Sequence, residues 1–224
     1  MAGTAERPPS LRFVYVATHG GRRQAAPAFL FLFLASLALA ACGGNQASAT
    51  TQSVPAQKLQ AAAAAMRTVS AFRFTADVTS GPQQVQVSGE FTAPNALHET
   101  VKIGANTVEV LWVGTRAFRR NSATAAWQVV PPASSSAPTD PRSAFGVLAR
   151  AASVHVQGTS YVFSLSKSNA TSLVKGSTSV TGAAQLSGGR IIDLTYQAAS
   201  PAVSVHLTYA GFNATPPVTP PPGL

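Results

Sequence analysis

A two-residue alternation of apolar and polar side chains runs through most of this chain and restricts the folds it can adopt. In residues 71–80, for example, Phe72 and Phe74 alternate with Arg73 and Thr75. This period is typical of strands that bury one face and expose the other. Short segments of the same kind follow one another, separated by turns that contain Gly, Asn or Pro. The sequence therefore predicts an antiparallel sheet.

The pattern predicts about ten or eleven strands and three helices. Six strands between residues 71 and 130 form a meander, and the remaining strands follow a proline-rich loop at residues 131–141. Helices are predicted at residues 56–70, at residues 142–152 after an Asp140 N-cap, and at residues 169–176. A sheet of this size tends to curl, and the helices are its natural cover. The fold class is therefore α+β.

Residues 1–41 have the organisation of a secretory signal peptide. Four arginines against one acidic residue precede an uncharged apolar run at residues 25–41. At 17 residues this run has the minimum length for a membrane-spanning helix, so a permanent anchor is the second choice. Val14 or Val16 is an alternative start of the chain. Arg22 and Arg23 match the twin-arginine export motif poorly, so general secretion is favoured.

The only cysteine, Cys42, ends the segment "LAAC", which resembles the bacterial lipobox. In that motif a thiolate receives a diacylglyceryl group, and acylation such as palmitate follows. The alternative is an ordinary signal peptide that happens to end at a cysteine. Residues 42–55 contain few large apolar side chains and are predicted to be a lipidated flexible tether about 20 Å in reach. The folded domain that follows must be stable without disulfides.

Charge and composition disfavour nucleic acid as a partner. Removal of the leader lowers the net charge from +9 to about +6, because four arginines and one acidic residue leave with it. Only Arg116, Arg119 and Arg120 cluster, and no basic stripe with interleaved aromatic residues accompanies them. These three residues are predicted to form a solvated hairpin edge, with contact to anionic lipid headgroups as the alternative.

In this context the chain resembles the LppX, LprF and LprG type of actinobacterial cell-envelope lipoproteins, which is similar in fold to the lipoprotein carriers LolA and LolB. The resemblance covers residues 56–222. It rests on the lipobox, on the helix before "FRFTADVT", and on "VEVLWVGTRAFRRNSATAAWQVV", "SGGRIIDLTYQ" and "VSVHLTYAGFNATPPVTPP". It implies a strongly curved antiparallel half-barrel with helices packed on its concave face. A cavity between sheet and helices would hold the acyl chains of a lipid or lipoglycan.

Such a cavity needs apolar side chains and no particular motif, because each buried CH₂ group contributes about 0.8 kcal/mol. Its candidate lining residues are the inward-alternating apolar residues of several strands. They are Phe74, Phe91, Val110, Trp112, Phe163 and Leu194. The alternative is that these side chains fill a closed core.

The motifs of common enzymes are not found. His98, His155 and His206 stand singly on predicted strands, without the spacing of metal ligands. The acidic residues that follow the leader form no recognisable acid/base pair, and there is no "GxSxG" elbow. We therefore expect no catalytic residues, no metal and no cofactor other than the acyl modification of Cys42.

The predicted protein is a lipoprotein anchored on the extracytoplasmic face of the cell membrane, with a half-barrel domain at residues 56–213 and a disordered proline-rich tail at residues 214–224. It would bind a lipid or lipoglycan and assist its transport through the envelope as a monomer, together with an envelope transporter. The alternative is a sensor or assembly module that transports nothing and recognises a protein partner.

Overall fold

The computed structural model of the protein describes residues 52–131 and 140–223. The predicted signal peptide, Cys42 and most of the predicted tether lie outside the described residues, as does most of the proline-rich loop. Within them, three helices and eleven strands are found. In chain order they are α1 Val54–Thr68, β1 Ala71–Ser80, β2 Gln83–Thr92, β3 Ala96–Ile103, β4 Asn106–Val113, β5 Arg116–Arg120, β6 Gln128–Val130, α2 Ser143–Leu148, β7 Ser153–Gln157, β8 Ser160–Leu165, α3 Lys167–Leu173, β9 Val180–Ser187, β10 Arg190–Ala199 and β11 Ala202–Ala210.

Helix α1 begins inside the segment predicted to be a tether. Ser53 is its N-cap and accepts a hydrogen bond from the backbone N–H of Ala56 at 3.4 Å, and Pro55 stands in the first turn. Proline suits that position because its missing N–H would have no partner within the helix. The buried face consists of small and medium side chains, Leu59, Ala62, Ala63 and Met66. Residues 53–55 of the predicted tether therefore belong to helix α1 and its N-cap.

The other two helices are displaced from their predicted bounds. Asp140 does precede α2, where its carboxylate accepts a hydrogen bond from the backbone N–H of Arg142 at 2.9 Å, but the N-cap position itself is Arg142. The helix also ends at Leu148, earlier than predicted. Helix α3 begins at Lys167 with Ser166 as N-cap, and it ends before Gly176, whose φ of +81° is left-handed.

The eleven strands form one antiparallel sheet in the order β6-β5-β4-β3-β2-β1-β11-β10-β9-β8-β7. The predicted meander is confirmed for β1 to β6, and β11 closes back onto β1, so the first and last strands lie at the centre. Helix α1 packs against β10 and also against the edge strand β7. The sheet is open and curves around this helix, which confirms the predicted α+β half-barrel.

The face on which the helices pack is the concave face, and the cross-strand register assigns side chains to it. Phe72, Phe91, Leu97 and Trp112 form one row across β1 to β4, because each is paired with the next. Their neighbours along each strand point to the opposite face. The hydrophobic core lies between this face and the helices.

The end of the chain departs from the prediction. Residues 214–223 form no helix or strand, but Thr215 and Pro221 are buried, and the backbone N–H of Val218 donates a hydrogen bond to the Thr92 hydroxyl at 3.3 Å. Just before them, the side chain of Asn213 accepts hydrogen bonds from the backbone N–H and hydroxyl of Ser70 at 2.8 and 3.0 Å. The segment predicted to be a disordered tail is therefore held against the sheet.

Candidate functional site

The concave face is not covered evenly. We call the side chains of β8 to β10 on this face the covered half. Its buried side chains are Phe163, Leu165, Val180, Ala184, Ile191, Leu194, Tyr196 and Ala198, while Tyr161 and Leu186 on the same face are partly exposed. The side chains of β2 to β4 are called the open half. Its partly exposed side chains are Val87, Glu99, Val101, Ile103, Val108, Val110 and Trp112, while Val85, Phe91 and Leu97 on the same face are buried.

The helices account for this difference. Helix α1 packs on β10 and β7, and α3 packs on β8, so both contribute to the covered half. On the side of the open half, the helical layer reaches Phe91, where the guanidinium of Arg142 lies 4.9 Å from the ring centre. Arg142 is fixed there by Asp140 at 2.6 Å and by a hydrogen bond to the Val69 carbonyl at 3.1 Å.

All six residues predicted to line a cavity lie on the concave face, but they divide between its parts. Phe91, Phe163 and Leu194 are buried in the core, at 1%, 1% and 2% exposure. Phe74 and Trp112 are partly buried against that core. Val110, also partly exposed, faces the open half. Three of the six therefore fill the core, as the alternative interpretation predicted, and three remain accessible.

Glu99 is a polar residue of the open half that the sequence analysis did not identify. The register places it opposite Gly89 on β2 and Val110 on β4, which puts its carboxyl on the apolar face. No hydrogen bond or ion pair is found for it among the described residues. Burial raises the pKa of Glu99 from 4.5 to about 7, since ionisation would leave a charge among apolar side chains.

A sequence signal for Glu99 does exist. In "ALHETVKI" the alternation assigns Leu97, Val101 and Ile103 to one face. Glu99 occupies the remaining position of that apolar series, whereas the polar residues His98, Thr100 and Lys102 belong to the other. An acidic residue on the buried face of a strand usually lowers the stability of the fold. Such a residue is therefore a candidate for a functional role.

Trp112 carries the second polar group among the apolar side chains of the open half, its indole N–H. Its indole Nε1 is buried and has no hydrogen-bond partner. Trp112 is opposite Leu97, and Glu99 is opposite Val110, so the two residues are diagonal neighbours on adjacent strands. Such neighbours lie about 7–8 Å apart. The buried indole N–H, which has no acceptor, and the partly exposed Glu99 carboxyl therefore belong to neighbouring residues of one region of the sheet.

A close approach of Phe74 to the backbone shapes the same region. A Cβ atom at Gly89 would lie 2.6 Å from Cζ of Phe74 and 2.7 Å from the carbonyl oxygen of His98. The phenyl ring thus occupies the space beside Glu99 that a side chain at position 89 would fill. Only glycine permits this arrangement.

The opposite face of β3 to β5 carries a small polar and aromatic cluster. Glu109, 5% exposed, accepts a hydrogen bond from Arg120 at 2.7 Å and lies 3.2 Å from Nε2 of His98. Burial alone would raise the pKa of Glu109, but hydrogen bonds from Arg120 and His98 outweigh it and lower the pKa below 4.5. The Arg120 guanidinium also lies 4.6 Å from the centre of the Trp127 ring. Arg120 is therefore a structural residue and not part of a solvated edge.

The remaining histidine pair is more exposed. Nε2 of His206 lies 2.8 Å from the Asp193 carboxylate on neighbouring strands of the same face. Among residues 52–131 and 140–223, no Ser or Thr side chain forms a hydrogen bond with either this pair or His98 and Glu109. In the described part of the chain, no group of three or more His, Cys, Asp or Glu side chains is placed to hold a metal ion.

A shallow depression of about 530 Å³ lies at the tips of the β1–β2 and β3–β4 hairpins. Its lining is mainly polar and includes Gln84, Gln86 and Lys102. None of the predicted cavity residues borders it. We therefore place the candidate site on the open half of the concave face.

Of the helices in the described ranges, none is long and apolar enough to cross a bilayer. Taken together, the fold and this face define a curved antiparallel sheet with a helical filling on one half and an accessible apolar surface on the other.

Proteins of known structure share this architecture. LprF from Mycobacterium bovis matches with a TM-score of 0.57 at 13% identity, over 75% of this chain and 97% of that chain. The Mycobacterium tuberculosis lipoprotein LppX matches with a TM-score of 0.51 at 12% identity, over 74% of this chain and 98% of that chain. The predicted resemblance to this group of lipoproteins is thus confirmed for the fold. No protein-family model and no curated protein matches the sequence.

Proposed function

We propose that this protein is an extracytoplasmic lipoprotein that binds the acyl chains of a lipid or lipoglycan on the open half of its concave face and assists the movement of that lipid through the cell envelope. Cys42 would carry the acyl anchor, with the residues up to Gln52 as a tether to the membrane. The observation that carries the proposal is the uneven cover of the concave face.

The open half has the properties that acyl-chain binding requires. Its valines, Ile103 and Trp112 form a continuous apolar surface across β2 to β4, bounded on one side by the filled core. A contiguous exposed apolar surface is costly in water and marks a binding region. The surface lies inside the curve of the sheet, so a chain bound there would contact side chains on more than one side.

Burial of an acyl chain on this face supplies enough free energy for binding. A chain of about 16 carbons buried at about 0.8 kcal/mol per CH₂ gains on the order of 10 kcal/mol before ordering costs. This gain does not depend on a specific polar contact. It therefore accounts for a binding face that shows no recognisable ligand motif.

Native mass spectrometry of the full chain, exported with its own leader in an actinobacterial host, tests the proposal. We expect a mass increment above the acylated polypeptide that disappears on lipid extraction. Val108→Asp should abolish this increment, because it places a carboxylate on the open half. Val129→Asp is the matched control, since Val129 is 53% exposed on the opposite face, and it should retain the lipid.

A folded protein without any bound lipid, or equal lipid content in the two variants, would contradict the proposal. Absence of acylation at Cys42 would separately contradict the anchor.

A second candidate is a module that recognises a protein partner, and one observation favours it. The edge strands β6 and β7 carry the exposed side chains Val129 and Val156, at 53% and 51% exposure. Unpaired edges of this kind can accept a strand from another protein. Retention of a partner by the wild type but not by Val156→Lys, in a lipid-free protein, would favour this function over the first.

A further inference from the structure

The charges of the described residues are divided unevenly between the sheet and the helices. The strands carry six basic and five acidic residues, so their charges nearly cancel. We call residues 53–70, 140–152 and 166–177, which form the three helices and the turns beside them, the helical layer. It carries six basic residues and one acidic residue, a net charge of +5. Most of the positive charge of the folded domain therefore lies on the helical layer.

The basic residues of the helical layer are accessible. Its single acidic residue, Asp140, is paired with Arg142 at 2.6 Å. The other five basic residues are exposed and form no ion pair within residues 52–131 and 140–223. They are Lys58, Arg67, Arg150, Lys167 and Lys175. Helix α2 packs against both α1 and α3, so these residues belong to one continuous layer. A surface with several uncompensated cations attracts an anionic partner.

The outer surface of α1 suits a flat partner. Lys58 and Arg67 are nine residues apart, about two and a half turns, so they project from opposite sides of the helix. The exposed residues between them include Ala61 and Ala64, whose small side chains allow a close approach to another surface. Val54, in the first turn, is 64% exposed. Flanking basic side chains and an exposed apolar side chain together match the headgroup region of a bilayer.

We propose that the helical layer is the surface with which this protein docks on the membrane, and that it binds the headgroups of anionic phospholipids there. The inference takes the acyl anchor at Cys42 from the proposed function, and α1 is the first helix after that anchor. A tether with a reach of about 20 Å keeps the domain close to the bilayer. Attraction between the helical layer and anionic headgroups then selects one orientation of the domain.

This orientation also turns the open half towards the bilayer. The open half and the helices lie on the same side of the sheet, whereas the register places Asp77, Glu90 and Glu109 on the opposite face. Arg119, opposite Val110, adds an exposed basic residue on the side of the helices. A lipid that leaves the membrane would therefore meet the open half directly.

Quenching of a fluorescent label by lipids that carry a nitroxide on the headgroup tests the proposal. The full chain from an actinobacterial host is labelled at Ala61→Cys on α1 or at Ser88→Cys on the opposite face of β2, both exposed positions. The wild type gives the background from Cys42. In vesicles that contain phosphatidylglycerol, we expect strong quenching at position 61 and little at position 88. Vesicles of phosphatidylcholine alone, or NaCl at about 0.5 M, should remove this difference, because salt screens exposed charges.

A matched pair of double variants in the Ala61→Cys chain tests the cations themselves. Lys58→Gln with Arg67→Gln lowers the charge of the helical layer by two. The ratio of docked to undocked protein should fall about 25-fold, since each cation near an anionic surface contributes a factor of about five. Lys102→Gln with Arg116→Gln makes the same change in net charge at exposed positions on the opposite face of the sheet and should leave the ratio unchanged.

The outcomes separate this inference from the proposed function. Equal quenching at the two positions, quenching that does not depend on phosphatidylglycerol, or equal effects of the two double variants would overturn the inference and leave acyl-chain binding intact. Dimers in native mass spectra with an unquenched label at position 61 would assign the surface to a second copy of the chain and would also overturn it. An unacylated Cys42 with a quenched label at position 61 would contradict the anchor and support the docking surface.

Discussion

The two halves of the concave face share one packing arrangement, an aromatic ring over a glycine, but they differ in how far that ring is buried. In the covered half, Phe163 lies against Gly182, where a Cβ atom would be 2.5 Å from Cζ of Phe163. Beside the open half, Phe74 of β1 lies against Gly89 of β2 in the same manner. Both halves therefore place an aromatic ring over a glycine on the next strand. Phe163 is 1% exposed, whereas Phe74 is partly exposed.

The third residue of each row shows what the helical cover changes. The row of the covered half continues to Tyr196, and burial raises the pKa of its phenol to about 12, so it stays neutral at all ordinary pH values. The row of the open half continues to Glu99, whose raised pKa of about 7 falls within the ordinary range. In the covered half the Tyr196 phenol therefore stays neutral near neutral pH, whereas in the open half the Glu99 carboxyl has a pKa in that range.

The largest expected effect compares the two phenylalanines directly. Phe163→Ala should destabilise the protein by about 3–5 kcal/mol, because it leaves a void in a filled core. Phe74→Ala, which removes the ring that lies over Gly89 beside the open half, should cost about 2 kcal/mol, since part of this ring is already in water. Urea denaturation of both variants measures the difference. Equal costs would mean that the two halves are packed alike.

The next largest effect on stability is expected from the Arg120–Glu109 pair on the opposite face of the sheet. Arg120→Ala should cost about 3 kcal/mol at pH 7, because Glu109 would remain buried without its cation. The folded-state pKa of Glu109 is lowered, so the stabilisation is present above pH 4.5 and is lost as pH falls through the folded-state value. Thermal unfolding at pH 7 and at acid pH checks this. Arg116→Ala is the control, and a similar loss for both would contradict the specific pairing.

Glu99→Gln should have a smaller effect of opposite sign. The pKa of Glu99 is higher in the folded than in the unfolded protein, so wild-type stability falls as pH rises from 4.5 to about 7. The whole shift corresponds to roughly 3 kcal/mol. Because the side chain is partly exposed, we expect Glu99→Gln to stabilise by about 1–2 kcal/mol at pH 8 and by little at pH 4. Urea titrations at both pH values measure it, with Glu90→Gln unchanged. A variant less stable than the wild type at pH 8 would refute this.

The last comparison is a matched pair of valine-to-alanine substitutions, of which the one in the open half has the smallest expected effect. Val180→Ala removes the two γ-methyl groups of a side chain that is 1% exposed in the covered half and should cost about 2 kcal/mol. Val110→Ala makes the same change in the open half and should cost less than about 1 kcal/mol. Chemical denaturation resolves the two values, and a reversed order would show that the open half is the better packed.

Much of the fold follows from local pattern. The alternation around Phe72 and Phe74 assigned the faces of β1 correctly. Turns that contain glycine were predicted between strands, and Gly188 and Gly189 form one between β9 and β10, with φ of +55° and +72°. These features depend on neighbouring residues only, so the sequence expresses them directly. The observed helix ends differ from the predicted ones because residues such as Ser53 and Ser166 compete with neighbouring residues for the N-cap position. The tail was mispredicted because its contact with Thr92 joins residues far apart in the chain.

The candidate site was predictable only in part. The six proposed lining residues do share the concave face, as their alternation required. Which of them remain accessible depends on where α1 lies, and no pattern within the strands contains that information. Glu99 could have been found from its place in an apolar series, but its lack of a partner could not.

By itself, the sequence determined that the chain forms an antiparallel sheet with one apolar face, because strand periodicity is a local property of the backbone. It also marked Cys42 as the predicted anchor. Only the tertiary structure decided that the helices fill the side of β7 to β10 and leave β2 to β4 open. That choice depends on the packing of distant elements, and burial in turn sets whether a side chain such as Glu99 is charged.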